Sequence, residues 1–266
     1  MRTPAPLDTV FLVEKTQSRR LGSRWVFEKE IASTNDLAKE LISKGTPEGT
    51  VVVADCQTRG KGRQGRAWAS INQGGVYLST LLYPPNPVDT SPWLTLIAAI
   101  AAADALAPWC APDLKWPNDL LVNDRKIGGI LCEYIPDCRP SPAVIVGIGL
   151  NLHQQPEDFP DEIKALATSV AHEADSEPSR TEIIHKLIEA LDREYEEFLQ
   201  TGPQQVVLRW SGRSRMFGKQ VSLRQGNTTF TGTAKRLDRR GHLVIETPEG
   251  EMTFSAGEVT LSKNTI

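Results

Sequence analysis

Hydrophobic and polar positions alternate with different periods along this chain, and each change of period marks an element. Residues 1–22 hold prolines and a polar cluster at 16–20 and keep no sustained helical period, so they read as a lead-in segment. Trp25-Val26-Phe27 then predicts a short strand. Ser33-Thr34-Asn35-Asp36 offers N-cap side chains to a helix that carries Leu37, Ala38, Leu41 and Ile42 on one face and stops at Gly45. The β-branched run 51–54 and the apolar run 75–81 predict two buried strands joined by a loop rich in glycine and basic residues. Ser91-Pro92 predicts the start of a long apolar helix reaching about Ala107, with proline in its first turn.

A hairpin follows, from 120–122 through the turn Asn123-Asp124-Arg125 to 127–134, whose second strand carries two glycines, and 143–150 reads as another buried strand. The capping pair Ser179 and Glu182 opens a helix with Ile183, Ile184, Leu187, Ile188, Leu191, Tyr195 and Phe198 at helical spacing. After Trp210-Ser211-Gly212-Arg213 the pattern changes to short strands at 220–223, 228–236, 243–246, 252–255 and 259–261, with close turns between them. That texture predicts a small all-β barrel of about 50 residues. The expected architecture is α/β (α+β): a lead-in at 1–22, a mixed sheet flanked by helices at 23–212, and an SH3-like barrel at 213–266.

Composition narrows the function classes. The chain has 266 residues, 39% hydrophobic and 24% charged, close to a globular average. Its net charge of −3 argues against a surface built throughout to coat nucleic acid or an acidic membrane. The longest apolar run, 94–103, falls well short of the roughly 20 residues of a membrane span. The apolar stretch 10–13 is too brief for the core of an export signal. Cys56, Cys110, Cys132 and Cys138 show no C-x-x-C spacing, which fits reduced thiols and a cytoplasmic location. His153, His172, His185 and His242 form no metal-ligand pattern, so no structural metal site is expected, and Cys56 reads as a packed residue, not a nucleophile.

Candidate chemistry concentrates in 57–68, QTRGKGRQGRAW. Gly60, Gly62 and Gly65 satisfy G-x-G-x-x-G, but the loop leads to another strand instead of a helix, so it is not a dinucleotide fingerprint. No G-K-[ST] follows, which excludes a P-loop. What remains is a glycine loop with four cations, Arg59, Lys61, Arg63 and Arg66, able to wrap a polyphosphate because glycine admits close backbone approach and arginine binds phosphate oxygens bidentately. By itself the same loop could be a solvated basic face or a nucleic-acid patch. Lys115-Trp116-Pro117-Asn118-Asp119, Lys126-Ile127-Gly128-Gly129 and Gly147-Ile148-Gly149-Leu150-Asn151 each read equally well as turns or tight strand packing when taken singly.

Together and in order, with Ser33-Thr34-Asn35 and the glycine/arginine loop ending at Trp68, these segments resemble the signature of biotin protein ligases over about residues 22–263. The resemblance implies a class II aminoacyl-tRNA synthetase/biotin synthetase-like catalytic fold. It implies activation of biotin by ATP with Mg2+ to biotinyl-5′-AMP, then transfer to one lysine of a biotin carboxyl carrier protein. On that resemblance Ser33, Thr34, Asn35, Gln57, Gly60, Lys61, Arg63, Lys126, Gly129 and Gly147 fall at biotin-binding positions. Lys61, Arg63, Arg66, Trp68, Lys115, Asn118, Lys126 and Asn151 fall at ATP-binding ones, and Lys126, Arg63 and Asp119 at catalytic ones. Lys61 and Gln64 stand where arginine is common in the family.

The nearest rival is a lipoate or octanoate ligase or transferase of the same superfamily; the arginine/glycine loop and the C-terminal barrel favour biotin. A DNA-binding repressor is a second rival and a pure phosphate- or nucleic-acid-binding module a third. The expectation is no specific DNA and no membrane partner, since residues 1–22 show no two-helix pattern. A homodimer is compatible with everything above.

Overall fold

The computed structural model describes residues 5–16, 18–138 and 141–261. Seven strands form one mixed sheet in the order β1 (Arg24–Ile31), β2 (Thr50–Gln57), β3 (Gly75–Leu82), β7 (Ala143–Asn151), β6 (Arg125–Ile135), β5 (Asp119–Val122) and β4 (Asp113–Lys115). Only β1 and β2 run parallel; the other neighbours are antiparallel.

Strand alternation gives the sheet two different faces. Val51, Val53, Val76, Leu82, Val144, Val146 and Leu150 belong to the main apolar core, under α3 (Pro87–Leu106) and α5 (Arg180–Thr201). On the opposite face α2 (Thr34–Ser43) buries Ala38 and Ile42 against Val52, Leu81, Ala143 and Ile145. Further along that same face the register sets Leu131, Gly147 and Ser79 side by side, and next to them Gly129, Gly149 and Tyr77. Glycines at the centre of both rows leave the sheet bare there, and the site is built on that floor.

The lead-in is not without structure. Asp8 caps α1 (Thr9–Lys15) by accepting from Phe11 N–H at 2.9 Å. Leu12 is fully buried, and Phe11 meets His185 of α5 edge-on at 5.3 Å. Seven residues are too few to show a helical period, so this helix escapes a pattern reading. Leu12→Ala is expected to cost about 2–5 kcal/mol, read as a lowered urea midpoint; a change under about 0.5 kcal/mol would mean that α1 is not part of the core.

The start of the long apolar helix also differs from expectation. α3 begins at Pro87 in the N1 position, which leaves Pro92 inside the helix. Both prolines offer N1 chemistry, and Pro87 takes it. Three short elements were not foreseen at all: β4, α4 (Val170–Glu173) and α6 (Gln204–Gly212), whose Val206 and Trp210 are buried four residues apart.

The C-terminal strands β8 (Gln220–Gln225), β9 (Thr228–Leu237), β10 (Leu243–Thr247), β11 (Gly250–Phe254) and β12 (Glu258–Leu261) form an antiparallel sheet in the order β11-β10-β9-β8-β12. Its buried Val221, Leu223, Ile245 and Val259 continue the main core. Trp116 Nε1 donates to Gly241 O at 3.1 Å, and Leu114 N–H donates to Arg213 O at 2.9 Å. The C-terminal sheet therefore docks beside the strand that leads into 115–119.

Candidate active site

Above the glycine floor lies a cavity of about 630 Å³. Residues from α2, the 57–69 loop, the β4–β6 hairpins, β7, the 159–167 segment and β12 converge on it.

One part of its wall is polar but uncharged. Ser33 is the N-cap of α2 by backbone position, without a capping bond from its side chain, and it lines the cavity. Gln57 Oε1 accepts from Thr34 N–H at 2.8 Å and lies 3.1 Å from Thr34 Oγ1. Asn35 Nδ2 donates to Glu133 Oε2 at 2.5 Å. Gly147 faces Asn35: a Cβ there would fall 2.3 Å from Asn35 Oδ1, so the glycine gives Asn35 its place.

Another part is strongly charged. Asp119 sits between two lysines, with Lys126 Nζ 2.6 Å from Oδ1 and Lys115 Nζ 3.1 Å from Oδ2. Burial pushes the Asp119 carboxyl up, but the attraction of Lys126 and then Lys115 outweighs it and holds the group below the usual carboxylate range. The charge on Asp119 thus contributes stability above the ordinary carboxylate pKa and loses it as pH falls through the lowered folded value.

Arg63 Nη1 donates to Asn118 Oδ1 at 3.1 Å, while Asn118 Nδ2 donates to Ile130 O at 2.9 Å. Burial lowers the Arg63 guanidinium below its ordinary value and Asp119 pulls it back up. An arginine remains a cation through such a shift.

The 57–68 loop folds back on itself to hold these groups. Trp68 N–H donates to Gly60 O at 2.9 Å, and Gly62 N–H to Arg66 O at 2.7 Å. The turn between them needs left-handed backbone at Gln64 (φ 57°) and Gly65 (φ 74°), which glycine at 65 adopts without a steric penalty. Gln64 is exposed and does not line the cavity. Lys61 is paired with Asp36, and Arg66 Nη1 lies 2.5 Å from Glu258 Oε1. The indole of Trp68 rests on the floor, where a Cβ on Gly149 would fall 2.6 Å from the ring, and Lys126 Nζ is 5.6 Å from the ring centroid. Its Nε1 is buried and makes no hydrogen bond.

Of the residues singled out from the sequence, Ser33, Thr34, Asn35, Gln57, Lys61, Arg63, Arg66, Trp68, Lys115, Asn118, Asp119, Lys126, Gly129, Gly147 and Asn151 line this one cavity. Gly60 lies outside it, behind Trp68, where a Cβ would meet Trp68 O at 2.6 Å. Asn151 is on the wall, but its amide is bound to Thr168 O at 3.0 Å and to Gln154 at 3.3 Å, so it holds the 154–168 segment. Gly129 faces Lys126 and Trp68, leaving room for both.

Sequence patterns missed two walls. Phe159, Ile163, Leu166 and Ala167 approach because Lys126 N–H donates to Leu166 O at 2.7 Å and Thr168 N–H to Lys126 O at 2.9 Å. Lys219 and residues 258–261 come from the C-terminal sheet. There Arg224, against the cost of burial and helped by Arg66, holds the Glu258 carboxyl below its usual range.

Comparison with known proteins places this geometry. Residues 27–151 match the model of the biotin/lipoate A/B protein ligase family, and residues 216–262 match that of the biotin protein ligase C terminal domain. The bifunctional ligase/repressor BirA of Bacillus subtilis is 37% identical over 243 residues, covering 91% of this chain and 75% of that protein. The chain belongs to the biotin protein ligase family. The biotin–[acetyl-CoA-carboxylase] ligase of Mycobacterium tuberculosis is 31% identical over 270 residues and covered to 97% on both sides. The biotin protein ligase of Aquifex aeolicus, solved in complex with biotin and ATP, superposes with a TM-score of 0.78 at 30% identity, covering 91% of this chain and 100% of that one. The match of the C-terminal domain to biotin protein ligases disfavours a lipoate ligase. No helix among the described residues is long and apolar enough to cross a membrane.

Proposed function

We propose that this biotin protein ligase uses residues 23–212 to join biotin to AMP, with Lys219 and residues 258–261 of a second domain at 213–266 completing the cavity wall, and that it delivers biotin to one lysine of a biotin carboxyl carrier protein in the cytoplasm. The observation that carries this reading is the union, in one cavity, of an uncharged hydrogen-bonding wall with three cations gathered around Asp119. The uncharged wall suits a small polar ring, and the cations suit the meeting of a carboxylate with a triphosphate.

In the first step an oxygen of the biotin carboxylate attacks the α-phosphorus of ATP and pyrophosphate leaves. Repulsion between the two anions has to be offset by fixed positive charge, and Lys126, steered by Asp119, supplies it at the reacting oxygens. Arg63 lies over the phosphates and keeps water from the mixed anhydride. Trp68 offers its face to the adenine or covers the intermediate. In the second step the carrier's neutral lysine amine attacks the acyl carbon, forming the amide and releasing AMP and a proton, which leaves to solvent; Asp119, paired with both lysines, holds Lys126 beside the reacting atoms.

Both oxygens of Asp119 are taken by lysines and Asn118 Oδ1 is taken by Arg63, so Asp124, the cavity carboxylate with no cation partner among the described residues, is the side chain suited to hold Mg2+ beside phosphate oxygens. Mg2+ neutralises phosphate charge when bound.

Incubation with biotin, MgATP and a carrier domain tests the proposal. One biotin on one carrier lysine, found by peptide mass mapping, is the expected product, and no transfer would contradict it.

A further inference from the structure

Lys126 sits where β6 leaves the regular ladder. Leu120 pairs with Gly128 and Leu121 with Lys126, so Ile127 is an extra residue in β6, and a bulge of this kind re-aims the side chains beside it. Pairing with β7 begins only at Gly128, opposite Leu150. Ahead of that point Lys126 is bonded instead to residues 166–168: its N–H donates to Leu166 O at 2.7 Å, and Thr168 N–H donates to Lys126 O at 2.9 Å. Residues 161–168 are turns and a single β-bridge, so the partner strand of the lysine has no ladder of its own to fix it. Its position depends on what holds Thr168.

Thr168 is held by Glu173, the last residue of α4. The Glu173 carboxylate is 4% exposed and accepts from three donors, with Thr168 Oγ1 at 2.6 Å and Arg125 Nη2 at 2.5 Å on Oε1 and Asn123 Nδ2 at 2.7 Å on Oε2. A carboxylate so buried is kept charged by donors of this number, and its hydrogen bonds are of the strong, charge-assisted kind. Oε1 thus joins the residue before Lys126 to the residue that bonds the Lys126 carbonyl, and a closed ring of contacts surrounds the backbone of the lysine. Asn151 Nδ2 steadies Thr168 O from another side at 3.0 Å. Arg125, Thr168 and Glu173 stay off the cavity wall, to which Lys126 and Ala167 belong. Asp119 fixes the head of the lysine at 2.6 Å, and the ring fixes its root.

We propose that Glu173 is a positioning residue for adenylate formation: by binding Arg125 and Thr168 together it fixes the backbone of Lys126, so that the ammonium stands at the reacting oxygens before the substrates arrive. The inference rests on the biotin protein ligase reading and on the role given there to Lys126. A small displacement of a group that acts on the transition state costs rate, while binding made elsewhere in the ground state is kept. The contacts of the uncharged wall, Thr34 with Gln57 and Asn35 with Glu133, involve none of the residues of the ring.

The test is the rate of biotinyl adenylate formation in single turnovers at saturating MgATP, read by mass spectrometry. Glu173→Met removes both acceptor oxygens; Glu173→Gln keeps Oε1 for Arg125 and Thr168, and Asn123 can turn its amide over to accept from the new Nε2. Glu173→Met slows adenylate formation about tenfold, biotin affinity measured by calorimetry stays within about twofold, and Glu173→Gln recovers most of the rate. Made in the Lys126→Ala background, Glu173→Met slows the reaction by less than about twofold, because no ammonium remains to be placed, whereas a role confined to folding gives the same loss in both backgrounds. Thr168→Val, which removes one side of the ring and keeps the shape of the side chain, takes its place in the cycle if the methionine variant does not fold. A wild-type rate in Glu173→Met, biotin affinity falling in step with the rate, no recovery with glutamine, or an undiminished loss in the Lys126→Ala background overturns the proposal. Absence of adenylate formation in the wild-type protein would instead overturn the ligase reading itself.

Discussion

Lys126→Ala is expected to slow formation of the biotinyl adenylate by about 10²- to 10³-fold, or roughly 2.7–4 kcal/mol, the usual loss when one fixed electrostatic contact to a transition state is removed. The ammonium is held at 2.6 Å from Asp119, and its backbone is pinned on both sides by the 166–168 segment, so the cation is preorganised and pays little reorganisation at the moment of reaction. Its removal leaves Asp119 with Lys115 as its ion-pair partner and Arg63 nearby, and the cavity with one cation fewer. Biotin should still bind, because the uncharged wall of Thr34, Asn35 and Gln57 does not depend on it. Exchange kinetics together with biotin calorimetry check both halves. A loss smaller than about tenfold, equivalent to about 1.4 kcal/mol, would remove Lys126 from the role of charge stabiliser.

Arg63→Gly is expected to leave activation working and let the intermediate escape. Arg63 is half-buried and tethered through Asn118, so its fork is poised where phosphate oxygens arrive. A lost charge-assisted hydrogen bond is worth about 1.5–3 kcal/mol, and such losses appear mostly in the off-rate, which sets the expected acceleration of adenylate release at about ten- to hundredfold. Free adenylate would then acylate lysines on unrelated proteins. Streptavidin blots of bulk protein mixed with the variant should show widespread labelling. Labelling confined to the carrier, with an unchanged adenylate off-rate, would contradict the role given to Arg63.

Much of this site was legible because its parts are locally unusual. A loop with three glycines and four cations, and the paired glycines 128–129 and 147–149, stand out against ordinary strand sequence. The alternation of β7 then explains why 147 and 149 matter: both fall on the face opposite the main core, where Gly147 makes room for Asn35 at the start of α2 and Gly149 for the Trp68 ring. Ser79 and Glu133 were not legible for the same physical reason. Each occupies an ordinary strand position, and only the register that sets Ser79 beside Gly147, and the reach of Glu133 to Asn35, brings them to the site. The 159–167 wall has no period to read, since it is held by backbone bonds to Lys126 and not by a buried stripe. α1 was hidden by its length, and α6 by a pair of buried residues too few to declare a helix. In the C-terminal strands the alternation and the turn residues were sufficient, and the observed strands begin and end within three residues of the expected ones.

The uncharged wall and the cation cluster are proposed to serve one reaction between biotin and ATP. Exchange of labelled pyrophosphate into ATP, measured with the purified chain in the presence of Mg2+, tests it most directly. The expected result is exchange that requires biotin and is nearly absent without it. Exchange independent of biotin, or supported equally by octanoate or lipoate, would contradict it.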